Sequence, residues 1–263
     1  MVVGGLPMLL EHFDANEGII TPWESDLEKT VEFLPKTLIM PFDKDINQRI
    51  FQDANYQKIG VQHSIVQDAV IGSYSYGAQK FTIAAADLGA PALIGRLEEL
   101  MSGGIENVIL FGTCGVLDKN LAAHQIIIPT SAVRDEGTSF HYVPASDEIQ
   151  MNPKSVKALT AILDELKIGY TTAKTWTTDA LFRETLEKTR ERVAMGCSVV
   201  DMEASAVAAW AHYRQKNVYQ FFYTADHLNT ETGEWNKRSE ERMQGRSVYD
   251  FFELALTIGS KLD

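Results

Sequence analysis

The stretch Val200-Asp201-Met202-Glu203-Ala204-Ser205-Ala206 decides how this chain is read. A short apolar run, Ser198–Val200, ends on an acidic residue and gives way to an alanine-rich helical pattern. Two other fragments are built the same way: Phe111-Gly112-Thr113-Cys114-Gly115 upstream and Thr224-Ala225-Asp226-His227 downstream. Each places a small polar or acidic group at the end of an apolar run. In α/β sheets ligands gather at the carboxyl ends of strands, so three such ends point to one pocket.

Outward from these fragments, apolar runs alternate with helical patterns. Thr37–Pro41, Gly60–Val66, Lys80–Ala86, Asn107–Phe111, Gln125–Pro129, Tyr170–Thr175, Ser198–Val200 and Val218–Tyr223 read as strands. Several are continuous and bounded by Gly or Pro, as expected of strands buried on both faces. Leu93, Ile94, Leu97, Leu100 and Met101 follow helical spacing, and Gly103-Gly104 closes that helix. Val156–Leu166, Ala204–Ala211 and about 240–262 supply three more. Alternation of this kind means an α/β fold with a mostly parallel or mixed sheet and helices on its faces. No linker, repeat or low-complexity tract divides the chain, so residues 36–263 read as a single domain. Residues 1–35, with Gly4-Gly5 and Pro22, read as an N-terminal arm that is either frayed or packed on a neighbouring subunit.

The 263 residues are 45% hydrophobic and 23% charged, typical of a globular protein. No apolar run reaches the ~18 residues of a membrane span. The N-terminus lacks the basic start and apolar core of a signal peptide, so the expected compartment is the cytoplasm, with no membrane partner. The formal net charge of −12 argues against a nucleic-acid partner but not against a neutral nucleoside. Cys114 and Cys197 sit apart in apolar surroundings, which favours free thiols over a disulfide or metal site. No metal-ligand spacing, dinucleotide glycine motif or P-loop lysine is present.

The candidate residues fall at the ends of the runs. Gly112 and Gly115 allow close approach of a ligand to the backbone; a turn there could form an anion nest, or simply link strand to loop. The Thr113 hydroxyl suits a phosphate or ribose oxygen. Glu203 could cap a helix through the dipole. Alternatively it accepts hydrogen bonds from the vicinal hydroxyls of a ribose, with Met202 against the sugar. Asp226 follows an aromatic run, where desolvation raises a carboxyl pKa. Protonated, it could donate to a purine N7 as the base departs; otherwise it begins a polar loop. His227 reads as structural. In Thr177–Glu184, Asp179 is a plausible N-cap. Leu181 or Phe182 could stack on a base, and Arg183 could donate to a base carbonyl. The polar stretch Arg134–Tyr142 lines the pocket or makes a subunit contact.

At these residues the chain resembles the nucleoside phosphorylase superfamily, which includes uridine phosphorylase, hexameric purine nucleoside phosphorylase and methylthioadenosine nucleosidase. The resemblance runs from about Pro35 to the C-terminus. Phe111–Leu117 resembles the family's glycine loop, Arg134–Pro144 the uridine phosphorylase pattern, and Asp201-Met202-Glu203-Ala204 the ribose-binding Met-Glu pair. Thr224-Ala225-Asp226-His227 resembles the purine enzymes. The resemblance implies a mixed sheet forming a distorted barrel surrounded by helices. It also implies a homo-oligomer (dimer or hexamer) in which a neighbouring N-terminal segment donates a histidine to the sugar 5′-hydroxyl. His12 is the candidate, with His63 a weaker one. No cofactor is implied; phosphate is the expected co-substrate.

The chain departs from that pattern where phosphate should bind. Leu110 stands at one family arginine position, Ile46 near a second and Gln67 at a third. Phe42 replaces the glycine of the early motif, here Met40-Pro41-Phe42-Asp43-Lys44. A dianion needs charge-assisted hydrogen bonds, for which Lys44 or Arg49 are the candidates to compensate. Three readings therefore stand: phosphorolysis, the family default; hydrolysis, with Glu11 or Asp43 as candidate base; and nucleoside binding without turnover. Asp87, in Ala85–Gly89, is either a hydrogen-bonded turn residue or a catalytic or specificity residue. Base class stays open between purine and uridine.

Overall fold

In β2 (Thr37–Pro41) and β6 (Asn107–Val116), successive side chains alternate between two helical layers. The computed structural model, which describes residues 9–25, 27–65, 67–237 and 249–262, shows what each layer contains. Leu38, Met40, Val108 and Leu110 pack with α2 (Ala90–Ser102) and α5 (Ala204–Arg214). Ile39, Ile109 and Phe111 pack instead with α3 (Pro153–Glu165) and α6 (Tyr249–Lys261). Both faces are buried, so the runs are apolar throughout rather than alternating.

The other strands are β1 (Leu27–Lys29), β3 (Tyr56–Gln62), β4 (Ala69–Tyr76), β5 (Gln79–Ala84) and β7 (Ile126–Asp135), followed by β8 (Glu148–Gln150), β9 (Tyr170–Thr178), β10 (Cys197–Asp201), β11 (Asn217–Leu228) and β12 (Trp235–Asn236). Five of them close a mixed barrel in the order β6-β10-β9-β7-β11. Parallel pairing of β11 with β6, from Asn217↔Asn107 to Thr224↔Cys114, shuts the ring. An outer sheet, β1-β3-β4-β5-β2, joins through β2 on β6. The first half of β6 thus lies between β2 and β11, and its end turns to pair with β10 at Val116 and Gly115. The fold is the expected single α/β domain, a barrel with helices around it.

Several expectations on local structure are corrected. β6, β7, β9 and β11 continue three to six residues past their apolar runs, because neighbouring strands satisfy the backbone of the polar residues there. The Gly112–Gly115 stretch is therefore strand and not a turn, and neither glycine has a positive φ. A Cβ on Gly112 would lie 2.7 Å from Phe42 Cβ, so close approach of that side chain is what requires glycine. The strand read at Gly60–Val66 begins earlier and ends at Gln62, and β4 goes unread because Gly72, Ser73 and Ser75 interrupt its pattern. α1 (Lys44–Gln52) and α4 (Leu186–Ala194) add two helices that the apolar spacing does not reveal; both are rich in polar residues. β1 lies inside the segment read as an arm and pairs with β3. Gly4, Gly5, Val66 and the 240–248 half of the final helical stretch lie outside the described residues. Both cysteines are buried and free. Among the described residues no helix is long and apolar enough to cross a membrane.

Candidate active site

The ends of β6, β10 and β11 open onto one cavity of about 460 Å³. Gly112, Thr113 and Gly115 come to it from β6, Met202 and Glu203 from the β10–α5 junction, and Asp226 from β11. The turn at Leu181 and Phe182 closes another side. Eight residues singled out in the sequence thus meet here. Arg183 is exposed and outside the lining. His12, expected to serve the cavity of a neighbouring subunit, is exposed and its backbone N–H donates to Leu9 O.

The β10–α5 junction explains how Glu203 is held. Glu203 stands at the N-cap position of α5, yet its side chain makes no capping bond. Asp201 does that work: its Oδ2 accepts the N–H of Glu203 at 2.7 Å and of Ala204 at 2.6 Å. Asp201 Oδ1 accepts the hydroxyls of Thr175 at 2.8 Å and Thr177 at 3.0 Å. Burial raises the Asp201 pKa while these four bonds oppose the shift. Freed from capping, Glu203 reaches across to accept the Gly89 N–H at 2.6 Å through Oε1. Gly89 has φ +95°, a conformation that favours glycine. Glu203 is only 6% exposed; burial, with Asp201's charge adding, pushes it up to about 8.

At the β11 end, Asp226 Oδ2 accepts the Trp235 indole N–H at 2.5 Å. Glu184, half-buried in the same cavity, is pushed up to about 7 by burial and by the charge of Asp226. Sequence reasoning passed over Glu184, Asp201 and Trp235 as site residues. Only the Asp201-to-Ala204 spacing, an acidic residue three ahead of a helical N–H, carried a local signal.

The remaining candidates have structural partners. Arg134 is buried within its own loop, bonding Ser139 Oγ, Pro144 O and Ser146 Oγ, so it does not line the cavity. Asp179 is not an N-cap; it accepts the Gly137 N–H at 3.0 Å. Asp87 pairs with Arg96 at 2.5 Å, and Arg96 also donates to Gln62, which braces the loop carrying Leu88 and Gly89. Asp43 caps α1, accepting from Asp45 and Ile46 N–H; the Glu11 side chain lies outside what the structure describes. His63 pairs with Glu28 and Asp68. His227 faces a separate surface hollow beside Cys197.

The phosphate end is equally specific. Leu110 and Ile46 are buried in the core. Arg49 lies 4.1 Å from the centroid of the Tyr249 ring, and neither it nor Lys44 reaches the cavity. Phe42 lines the cavity directly against Gly112.

The model of the phosphorylase superfamily matches residues 44–258, and the chain belongs to that family. A DeoD-type purine nucleoside phosphorylase of Bacillus cereus is 25% identical over 189 residues, spanning 69% of this chain and 76% of that protein. The corresponding Brevibacillus brevis protein is 23% identical over 163 residues, spanning 59% and 67%. Among solved structures, the purine nucleoside phosphorylase of Toxoplasma gondii superposes with a TM-score of 0.69 at 20% identity, covering 88% of this chain and 90% of its own. The uridine phosphorylase of Vibrio fischeri gives 0.64 at 19% identity, covering 87% and 85%. These two structures share the fold.

Proposed function

We propose that this protein cleaves the N-glycosidic bond of a purine nucleoside, and that water rather than phosphate takes up the sugar. One observation carries the choice of nucleophile. The described lining of the cavity holds five carboxyl groups, Glu184, Asp201, Glu203, Asp226 and Glu234, and no lysine, arginine or histidine. A phosphate dianion would enter that field with no cation to pair with. Phe42 occupies space at the β6 end, and the extended Gly112–Gly115 strand does not converge its N–H groups as an anion nest does.

The same carboxylates suit the chemistry. Glu203 accepts from the 2′ and 3′ hydroxyls, with Met202 against the sugar. As the C1′–N9 bond breaks, its electron pair passes to the base and positive charge develops on the ribose, which surrounding carboxylates stabilise. A protonated carboxyl of the Asp226–Glu184 end gives N7 its proton. Water adds to C1′ and releases a proton to solvent, from which the carboxyl that protonated N7 is restored, leaving free base and ribose. No cofactor enters this scheme.

Phosphorolysis is the second reading, supported by the relatives named as phosphorylases and by the Thr113 hydroxyl in the lining. Product analysis on purine, pyrimidine and 5′-methylthio nucleosides, with and without phosphate, separates the two. Free ribose without phosphate is expected; ribose 1-phosphate formed only with phosphate would replace hydrolysis by phosphorolysis. No product with any substrate would leave a nucleoside-binding protein. A homo-oligomer belongs to the same proposal: Leu88, Phe182 and Trp235 stand exposed at the cavity mouth, where a second copy of the chain would cover them. Sedimentation as a monomer would remove that part.

A further inference from the structure

We infer that Glu184, acting with Asp226, selects 6-aminopurine over 6-oxopurine nucleosides, an inference that rests on the cleavage reading above. The two carboxyls reach the same cavity from different elements. Asp226 comes from the end of β11, and its Oδ2 is occupied by the Trp235 indole N–H. Its Oδ1 lies over β6, 3.9 Å from where a Cβ on Gly115 would stand, and is the oxygen left for a ligand. Glu184 enters from the turn after Leu181–Arg183, beside Leu186, whose side chain packs on the loop at Gly233. Leu181, Phe182, Leu228 and Trp235 provide apolar walls for a flat ring.

The edge of a base is then read by counting donors and acceptors. A 6-aminopurine presents an acceptor, N7, next to a donor, the N6 amino group; a 6-oxopurine presents two acceptors, N7 and O6. An ionised carboxylate only accepts, and a protonated carboxyl supplies one donor. Burial and the charge of Asp226 push Glu184 up to about 7, so a large share of its carboxyls carry a proton, and with it a donor, near neutral pH. One donor and one acceptor match the aminopurine edge. The O6 of an oxopurine would meet a carboxylate lone pair, an unpaired contact at a half-buried site. The described lining offers no cationic donor at this end: no lysine, arginine or histidine is present, and the Trp235 N–H is already used. Asn229 is held in its own loop, its Oδ1 accepting the Glu231 and Thr232 N–H.

The test compares kcat/KM for adenosine and inosine at neutral pH in the wild type and in Glu184→Gln, with calorimetric binding of free adenine and hypoxanthine to the wild type alongside. The wild type is expected to favour adenosine and adenine by about tenfold or more. Glu184→Gln, whose amide donates without drawing on the pair's proton, is expected to lower that ratio by about tenfold. Equal or inverted preference in the wild type, or an unchanged ratio in a folded Glu184→Gln, overturns the inference while cleavage itself stands. Adenine bound in preference to hypoxanthine with neither nucleoside cleaved supports the base selection and removes the cleavage reading.

Discussion

Asp201 Oδ2 accepts the backbone N–H of Glu203 at 2.7 Å, so the first acidic residue caps α5 and the second is left for the cavity. Two carboxylates two residues apart thereby take different work. Asp201→Ala removes the cap and leaves the Thr175 and Thr177 hydroxyls without their shared acceptor. The expected cost is about 2–4 kcal/mol in urea unfolding, with weaker nucleoside binding as Glu203 loses its anchor. Wild-type stability in this variant would mean that the junction is held by other contacts.

Glu203→Ala is expected to weaken nucleoside binding by roughly tenfold to a hundredfold, the loss of two hydrogen bonds to the ribose hydroxyls at a buried site. Calorimetry measures it. An unchanged affinity would remove Glu203 from the sugar subsite.

The raised Glu203 pKa also predicts how stability varies with pH. Its ordinary value of 4.5 rises to about 8 in the folded, empty site. Across that window the folded state holds more protons than the unfolded one, so stability falls as pH rises. The contribution is fully present below about 4.5 and lost as pH passes about 8. Glu203→Gln should flatten the stability profile between these limits, and an identical slope in the variant would contradict the burial argument.

Asp226→Asn is expected to slow purine nucleoside cleavage by about a hundredfold or more while changing affinity far less. Turnover at saturation and ligand affinity are measured separately. An unchanged turnover number would take Asp226 out of the chemistry.

The contact between Gly112 and Phe42 gives a packing test. Gly112→Ala would place a Cβ 2.7 Å from Phe42 Cβ, and overpacking of this kind costs about 1–3 kcal/mol. The loss should be recovered in the Phe42→Gly background, a coupling that a double-mutant cycle measures. Additive effects would show that the two side chains do not compete for the same space.

The sequence by itself determined the elements whose burial is locally encoded. Runs such as Asn107–Phe111 and Val218–Tyr223 are apolar because helices cover both faces, and α2 and α3 carry their core face at helical spacing. It also placed Gly112, Thr113, Met202, Glu203 and Asp226 at the ends of apolar runs; closure of the barrel, with β11 parallel and β10 antiparallel to β6, brings them together. Other features only the tertiary structure decided. β4 and α4 carry weak periodic patterns and depend on partners: β3 and β5 for the strand, and Asp135, which pairs with Lys188 and Arg192, for the helix. The polar ends of β6, β9 and β11 become strand because closing the barrel supplies backbone partners from residues far away in the chain. The approach of Glu184 to Asp226 likewise depends on how a turn and a strand end meet across a cavity. Periodicity reports which face of an element is buried; pairings between distant segments leave no local pattern to read.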